Sequence, residues 1–460
     1  MKKTAPASPT DIASLPAFKE RVATGKALRA DTPRSSHGEW TLPGKRRNVV
    51  KLLEQSNAGR VPELVPIRYG RMLQSPFAFL RGSANVMAFD LAETPNTKLR
   101  VQSGGDSHLM NFGEFGTPER NLVFDINDFD ETLPGPWEWD VKRLAASVMV
   151  AARYRNIPER NCLEAVHAAV ASYRERMAEY AKMSPLDRWY ARINAQDLIE
   201  QCRTEESRKK QALEATQARA QTAEHLLVKA TEIVKGKRHI KDNPPLVYHP
   251  VHNPGFEDEM RSFFRNYRHT LANDRKVLLD QYELVDIAMK VVGVGSVGTR
   301  CAVALFMAHD HDPLFLQFKE ARASVLEPYH GKSVYHCHGQ RVVEGQRLMQ
   351  SSSDIFLGWA RSEESGIDYY MRQLRDMKSS VDIDTIRFPE LFDYAGFCGW
   401  ALARAHAKSG DPAAISGYLG NNNVFDVAVG KFAVAYADQT EVDFAALKKA
   451  VADGKINASL

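Results

Sequence analysis

No stretch of this chain reaches the roughly 18 consecutive apolar residues that a membrane span needs. The opening MKKTAPASPT never develops an apolar stretch, so no secretory signal is expected either. Cysteine is scarce. The five, Cys162, Cys202, Cys301, Cys337 and Cys398, lie far apart with no CxxC pair, which excludes a disulfide framework and suits reduced thiols in a cytoplasmic protein. In the run His336-Cys337-His338, alternation on a strand would point the histidines one way and the cysteine the other, so no metal centre is expected there. Charge of one sign is also lacking: 61 Lys and Arg stand against 57 Asp and Glu, a formal +4, which predicts no nucleic-acid partner. The local basic clusters Arg203 to Lys210 and Lys235 to Lys241 read as solvated helix faces. No internal repeat is present. A soluble, cytoplasmic protein with no membrane partner is the expectation.

What is present is ordinary globular material. With 460 residues and 44% hydrophobic residues, the chain can bury a large core in two or three domains. Residues 1 to about 45 are rich in Pro, Ser, Thr and charge and read as a loosely ordered arm. A short helix is expected over Arg46 to Gln55, then strands and loops from Leu99 to Phe129. Helical spacing follows in Asp140, Leu144, Val148 and Ala151 and again from Cys162 to Tyr180. Residues 204–236 predict one long charged helix. Leu284 to Met307 and Pro313 to Phe318 are apolar and β-branched and predict a small sheet. A helix fits Gln340 to Ser351, strands fit Ile355 to Ala360 and Tyr369 to Leu374, and the end is helical again.

Two loops carry the chemistry. Gly105-Asp106-Ser107-His108-Leu109-Met110-Asn111 and Phe124-Asp125-Ile126-Asn127-Asp128-Phe129-Asp130-Glu131 are rich in Asp and Asn and flank an apolar strand, Leu122 to Phe124. Turn capping explains a single Asp or Asn well. Two such loops about twenty residues apart can instead converge on one divalent cation, since magnesium takes one or two carboxylates plus substrate phosphates. Phosphoryl transfer needs, in addition, a carboxylate to receive or orient the hydroxyl proton. Asp125 and Asp130 leave the metal assignment open by one step on either side of Asp128.

A third segment, Lys290 to Ala304, holds Gly293, Gly295, Ser296 and Gly298 in GVGSVG. Glycines let backbone amides approach phosphate without a Cβ in the way. A dinucleotide site would need a helix after the glycines and an acidic residue about twenty positions on; a kinase loop needs a strand, then a lysine on the next strand. The alternation of Thr299 to Phe306 and the apolar strand ending at Lys319 favour the second. Glu344, on the helix Gln340 to Ser351, is the expected ion-pair partner of Lys319.

GDxHxxN, an apolar strand with its Asp cluster and WEWDVKRLA resemble the kinase-like phosphotransferases that act on aminoglycosides, choline and other small molecules. By that resemblance Asp106 is the catalytic base and His108 its neighbour in the catalytic loop, as a catalyst or as a hydrogen-bonder. Asn111 and Asp128 are magnesium ligands, Asp130 is a second metal carboxylate, and Asp140 braces the loop from its helix. Gly293, Gly295, Ser296, Gly298, Lys319 and Glu344 bind ATP. The implied fold is α+β and bilobal, with a small antiparallel sheet lobe and a larger helical lobe. Its glycine loop follows the catalytic loop by about 180 residues, and GWALARAHAKSGD resembles the helix that leads into the catalytic loop, so the order is that of a circular permutation.

From PRSSHGEW (Pro33 to Trp40) almost to the C-terminus the chain resembles the bacterial family catalogued as domain of unknown function 2252, most specifically in RYGRMLQSPFAFLRG, GGDSHLMNFG, GVGSVGTRC, LQFKEA and GQRVVEGQR. The expected organisation is an arm over 1–45, the catalytic-loop and metal part over 46–160, a helical acceptor region over 161–280, the sheet lobe over 281–378 and closing helices over 379–460. The expected function is ATP- and magnesium-dependent phosphoryl transfer to a small molecule or a protein. A metal-dependent hydrolase using the two Asp loops, a nucleotide-binding pseudoenzyme and a nucleotidyl transferase are the alternatives.

Overall fold

The computed structural model describes residues 16–42, 47–249, 256–309, 312–374 and 377–459. It is mixed α and β. Six antiparallel strands form the main sheet, in the spatial order Gly358–Arg361, Asp368–Gln373, Pro313–Glu320, Cys301–Met307, Glu283–Lys290 and Val247–Tyr248. The alternation expected of Thr299 to Phe306 is seen directly: Ala302, Ala304 and Phe306 join a core under the helices Phe256–His269 and Asn273–Leu279. Val303 and Leu305 face the opposite side, with Leu227 and Ile240. Both faces of the sheet are therefore covered, which is why its strands read as nearly continuous apolar runs.

The rest is a helical body with two short hairpin-like pairs set into it, Arg100–Ser103 with Leu133–Pro136 and Phe112–Gly116 with Leu122–Ile126. Its centre is the helix Trp137–Tyr154, buried from Trp137 to Ala152, flanked by Glu159–Lys182, Phe388–Ser409 and Val424–Ala452. Among the described residues no helix is long and apolar enough to cross a membrane.

Several expectations need correction. The stretch 1–45 is not loose throughout: residues 1–15 and 43–46 lie outside the described residues, but the helix Phe18–Ala27 packs on Pro412–Leu419. A Cβ on Gly25 would fall 1.8 Å from the Ala414 carbonyl oxygen and one on Gly417 would fall 2.2 Å from that of Val22, so two small residues let these helices touch backbone to backbone. His37 then bonds the Tyr418 hydroxyl at 2.8 Å. The helix expected over 204–236 is two, Glu205–Arg219 and Ala223–Ala230, followed by a hairpin of Thr231–Val234 with Lys237–Ile240. Thr222 begins the second helix by accepting from the His225 amide, and positive φ at Lys235 and Gly236 turns the hairpin. His336-Cys337-His338 is no strand either; Cys337 is the residue before the helix His338–Met349. RYGRMLQSPFAFLRG forms two helices, Val65–Met72 and Pro76–Gly82, with Ser75 capping the second.

Candidate active site

The loop from Gly104 to Asn111 leaves the strand Arg100–Ser103 and is held from below by Asp140. This carboxylate lies in the first turn of Trp137–Tyr154, where the helix dipole favours negative charge. It accepts from Ser103 Oγ at 2.7 Å, from the Gly104 amide at 2.7 Å, from the Gly105 amide at 2.9 Å and from His406 Nε2 at 3.1 Å. Burial alone would raise its pKa, but these donors outweigh burial and keep it below the usual value.

Three residues further along the same helix face, Arg143 reaches the loop and donates to Asp106 Oδ1 from Nε (2.8 Å) and Nη2 (2.6 Å). Both bonds fall on one oxygen, so Oδ2 is left facing the cleft, 3.7 Å from His108 Nε2. Burial pushes the Asp106 carboxyl up to about 7 against the pull of Arg143. Burial, with Arg81 and Arg143 nearby, holds His108 well below its ordinary pKa, so its ring is neutral. His108 Nδ1 accepts from the Met110 amide, which puts the ring proton on Nε2. Asn111 donates from Nδ2 to the Asp106 carbonyl at 2.7 Å, committing its nitrogen and leaving its amide oxygen as the open end.

The second loop sorts its three aspartates by environment. Asp125 is fully buried, bound by Arg404 Nη2 at 2.7 Å and by the Ser351 amide at 2.8 Å; it is a structural ion pair. Asp128 and Asp130 remain partly open, with 29% and 26% of their side chains exposed. Burial would raise the Asp128 carboxyl, but Lys319 and Arg372 outweigh it and bring it to about 2. Asp130 accepts from the Tyr370 hydroxyl at 2.8 Å.

Lys319 arrives from the other side, at the end of Pro313–Glu320. Its ammonium is 3.7 Å from Asp128 and in direct contact with Asp130. The sheet and the helical body therefore meet at these three side chains, 191 residues apart in the case of Asp128 and Lys319. The helix His338–Met349 does not supply the expected partner. Glu344 bonds Arg347 at 3.2 Å, one turn along its own helix, while that helix sends Arg341 to the carbonyls of Asp130 and Thr132.

The glycine segment is the ten-residue connection between the paired strands Glu283–Lys290 and Cys301–Met307. Among the described residues no helix starts at Gly298, where the strand Cys301–Met307 follows, and no strand pair of the sheet is parallel, which removes the dinucleotide-fold alternative. Gly293 and Gly298 have φ of +64° and +87°, a region closed to most side chains. Val294 is buried among Tyr69, Phe79 and Leu447, and Ser296 Oγ lies 3.4 Å from Asp130 Oδ2. The turn is thus drawn down over the carboxylates.

Two cavities open there. The larger, about 940 Å³, is lined by Lys319, Gln317, Arg372, Gln350 and Lys378 and by apolar side chains that include Phe356 and Leu374. The smaller, about 350 Å³, contains Asp106, His108 and Asn111. Asp128, Gly293 and Ser296 line both.

Asp106, His108, Asn111, Asp128, Asp130, Lys319 and the glycine turn are thus brought together; Glu344 is not. Arg143, Arg341, Tyr370, Arg372 and His406 were not anticipated. Arg143 had a signal, since a residue three positions after Asp140 on a helix must share its face. One family model matches the chain, over residues 60–450, described as "Uncharacterized protein conserved in bacteria (DUF2252)". No curated protein and no solved structure matches.

Proposed function

We propose that this chain, which belongs to that bacterial family, is an ATP- and magnesium-dependent phosphotransferase with a circularly permuted kinase-like arrangement. One observation carries the reading: Lys319 meets Asp128 and Asp130 under a glycine turn, beside a carboxylate, Asp106, with a free oxygen and a pKa of about 7. A hydrolase using only the two Asp loops leaves the lysine and the turn without a role. The permutation draws support from the join between Phe388–Ser409 and Arg100–Ser103. Ser409 Oγ accepts from the Gln102 amide at 3.1 Å, so the end of that helix sits where the catalytic-loop strand begins.

The donor set suits magnesium, which takes hard oxygens and few protein ligands. Asp128, Asp130 and the Asn111 amide oxygen would hold it, and it would neutralise charge on the phosphates. The 940 Å³ cavity is of the size that takes a nucleotide. Lys319 occupies the cation position between the two carboxylates and would turn to the phosphates when metal enters. The backbone amides of the glycine turn would meet the phosphates, as glycines permit. Asp106 receives the acceptor proton on Oδ2, while Arg143 fixes its other oxygen. A base with a pKa near the working pH is effective in that role.

The test is ADP release with Mg–ATP in the wild-type protein and in two variants, alongside nucleotide affinity by calorimetry. Asp128→Asn should abolish metal-dependent turnover, since an amide offers magnesium only a neutral oxygen. Asp106→Asn should keep nucleotide affinity and lose roughly 10²- to 10⁴-fold in rate. Turnover unchanged in Asp128→Asn would sink the assignment; collapse of nucleotide affinity in Asp106→Asn would make Asp106 a ligand instead.

A further inference from the structure

The smaller cavity has an unusual electrostatic wall. Arg60, Arg68 and Arg81 line it, together with Arg322. Carboxylates face it too, but each has its own partner: Asp106 takes Arg143, Asp128 and Asp130 take Lys319, Glu320 takes Arg300, and Glu131 accepts from the Val325 amide. Among the described residues, that leaves Arg60, Arg68 and Arg81 in no salt bridge. Arg68 is 1% exposed; its Nη1 and Nη2 donate to the Asn57 side chain and the Gly82 carbonyl. Its Nε and that of Arg81 are buried with no hydrogen-bond partner. Arg60 donates to the Ser56 and Val297 carbonyls, at 3.0 and 2.5 Å. Burial lowers the pKa of Arg60 and of Arg68; Arg322 adds to the fall at Arg60 against the opposing pull of Glu131, Glu320 and Asp130, and Arg60 adds to it at Arg68. Carboxylates act on Arg60 and Arg81 from a distance, but guanidinium groups held away from water without a direct ion pair are costly, and a bound anion lowers that cost, because planar guanidinium forks match phosphate and carboxylate oxygens.

Resting on the phosphotransfer reading, we propose that this cavity is the acceptor site and that the acceptor is an anionic alcohol, with a phosphate or carboxylate held by Arg60, Arg68 and Arg81 and its hydroxyl at Asp106. The step balances without a further reactant. Asp106 Oδ2 takes the hydroxyl proton, the acceptor oxygen forms a bond to the γ-phosphorus, and the bond from that phosphorus to the β–γ bridging oxygen breaks with its electron pair leaving on ADP. Cationic acceptors such as aminoglycosides or choline are disfavoured by the same wall. The shared boundary at Asp128, Gly293 and Ser296 is where the two substrates would meet.

The probe is glycerol 3-phosphate, titrated into the whole protein by calorimetry with and without saturating Mg–AMPPNP, with glycerol and choline as neutral and cationic controls. The expected result is a Kd of about 1 mM or tighter for glycerol 3-phosphate, little changed by Mg–AMPPNP, and no comparable binding of the controls. Arg81→Gln and, separately, Arg60→Gln should each weaken it about tenfold, roughly 1.4 kcal/mol. The proposal is overturned if glycerol 3-phosphate fails to bind, if Mg–AMPPNP displaces it competitively, if the controls bind as well, or if both variants bind it like wild type. Failure of Mg–AMPPNP itself to bind is a separate result; it overturns the phosphotransfer reading and leaves at most an anion site.

Discussion

Lys319 is buried to within 4% of full enclosure of its side chain, and its charge is held by two aspartates rather than by a glutamate from a neighbouring helix. Replacing it by Met removes the cation that the strand Pro313–Glu320 sets against Asp128 and Asp130 and, on the proposed phosphotransfer, a phosphate contact. Lys319→Met should lower turnover by 10²-fold or more, in the range of a lost transition-state charge contact. Glu344→Gln should change it less than about twofold, because Glu344 is in an i,i+3 pair with Arg347, partly exposed, of the kind that contributes little. Steady-state kinetics of the two variants check this; equal losses would restore Glu344 to the site. At this scale the sequence was informative where spacing was short. The loops of GDSHLMN and DINDF do meet at one cavity, and Asp140, which the family resemblance named as the brace, does bond the backbone of the first loop. Glu344 does not reach Lys319 because it is taken by Arg347 one turn along its own helix, while Arg341, one turn earlier, reaches the Asp130 carbonyl.

Among the elements, the contact of Arg404 with Asp125 joins three. It ties Phe388–Ser409 to Leu122–Ile126, and Arg404 also donates to the Met349 carbonyl at the end of His338–Met349. Both side chains have no exposure. Removing one partner of such a pair strands a charge, so Arg404→Met should cost about 3–5 kcal/mol, and adding Asp125→Leu should recover a large part of it. Urea midpoints of the single and double variants measure this; a double variant no better than the single one would mean that Arg404 acts by packing alone. The elements themselves were largely legible. Strands around Lys319 and helices around Asp140 show strong periodicity. The break at residues 220–222 and the hairpin after it were missed because Thr222, Lys235 and Gly236 are local turn signals inside a charged, apparently uniform run.

For the whole molecule, pH acts through charges sealed inside the helical body. Lys142 is fully buried, its amine unbonded and 5.3 Å over the Phe432 ring. Burial brings it down to about 7 despite Glu138, and it lies beside His37, which stays neutral. An unfolded lysine titrates near 10.4. Between about pH 7 and 10 the unfolded chain holds a proton that the folded one has lost, so stability from this group rises with pH across that window. Tm should climb from pH 7 to 9, and Lys142→Met should flatten the climb and be the more stable protein at pH 7. A Lys142→Met protein with the wild-type slope would show that other groups set it. No sequence signal marks this lysine, because its burial follows from helices distant in the chain.

Arg404 also places a condition on birth at the ribosome. Asp125 emerges 279 residues before its counter-charge, a wait of roughly 15–55 s at about 5–20 residues per second. Through that interval both Asp-rich loops are finished in sequence while Asp125 lacks its counter-charge, and Asp140 awaits His406 in the same way, 266 residues on. A ribosome that stalls before residue 404 leaves an open acidic half-site, and the chain becomes one protein only when its last helices are made.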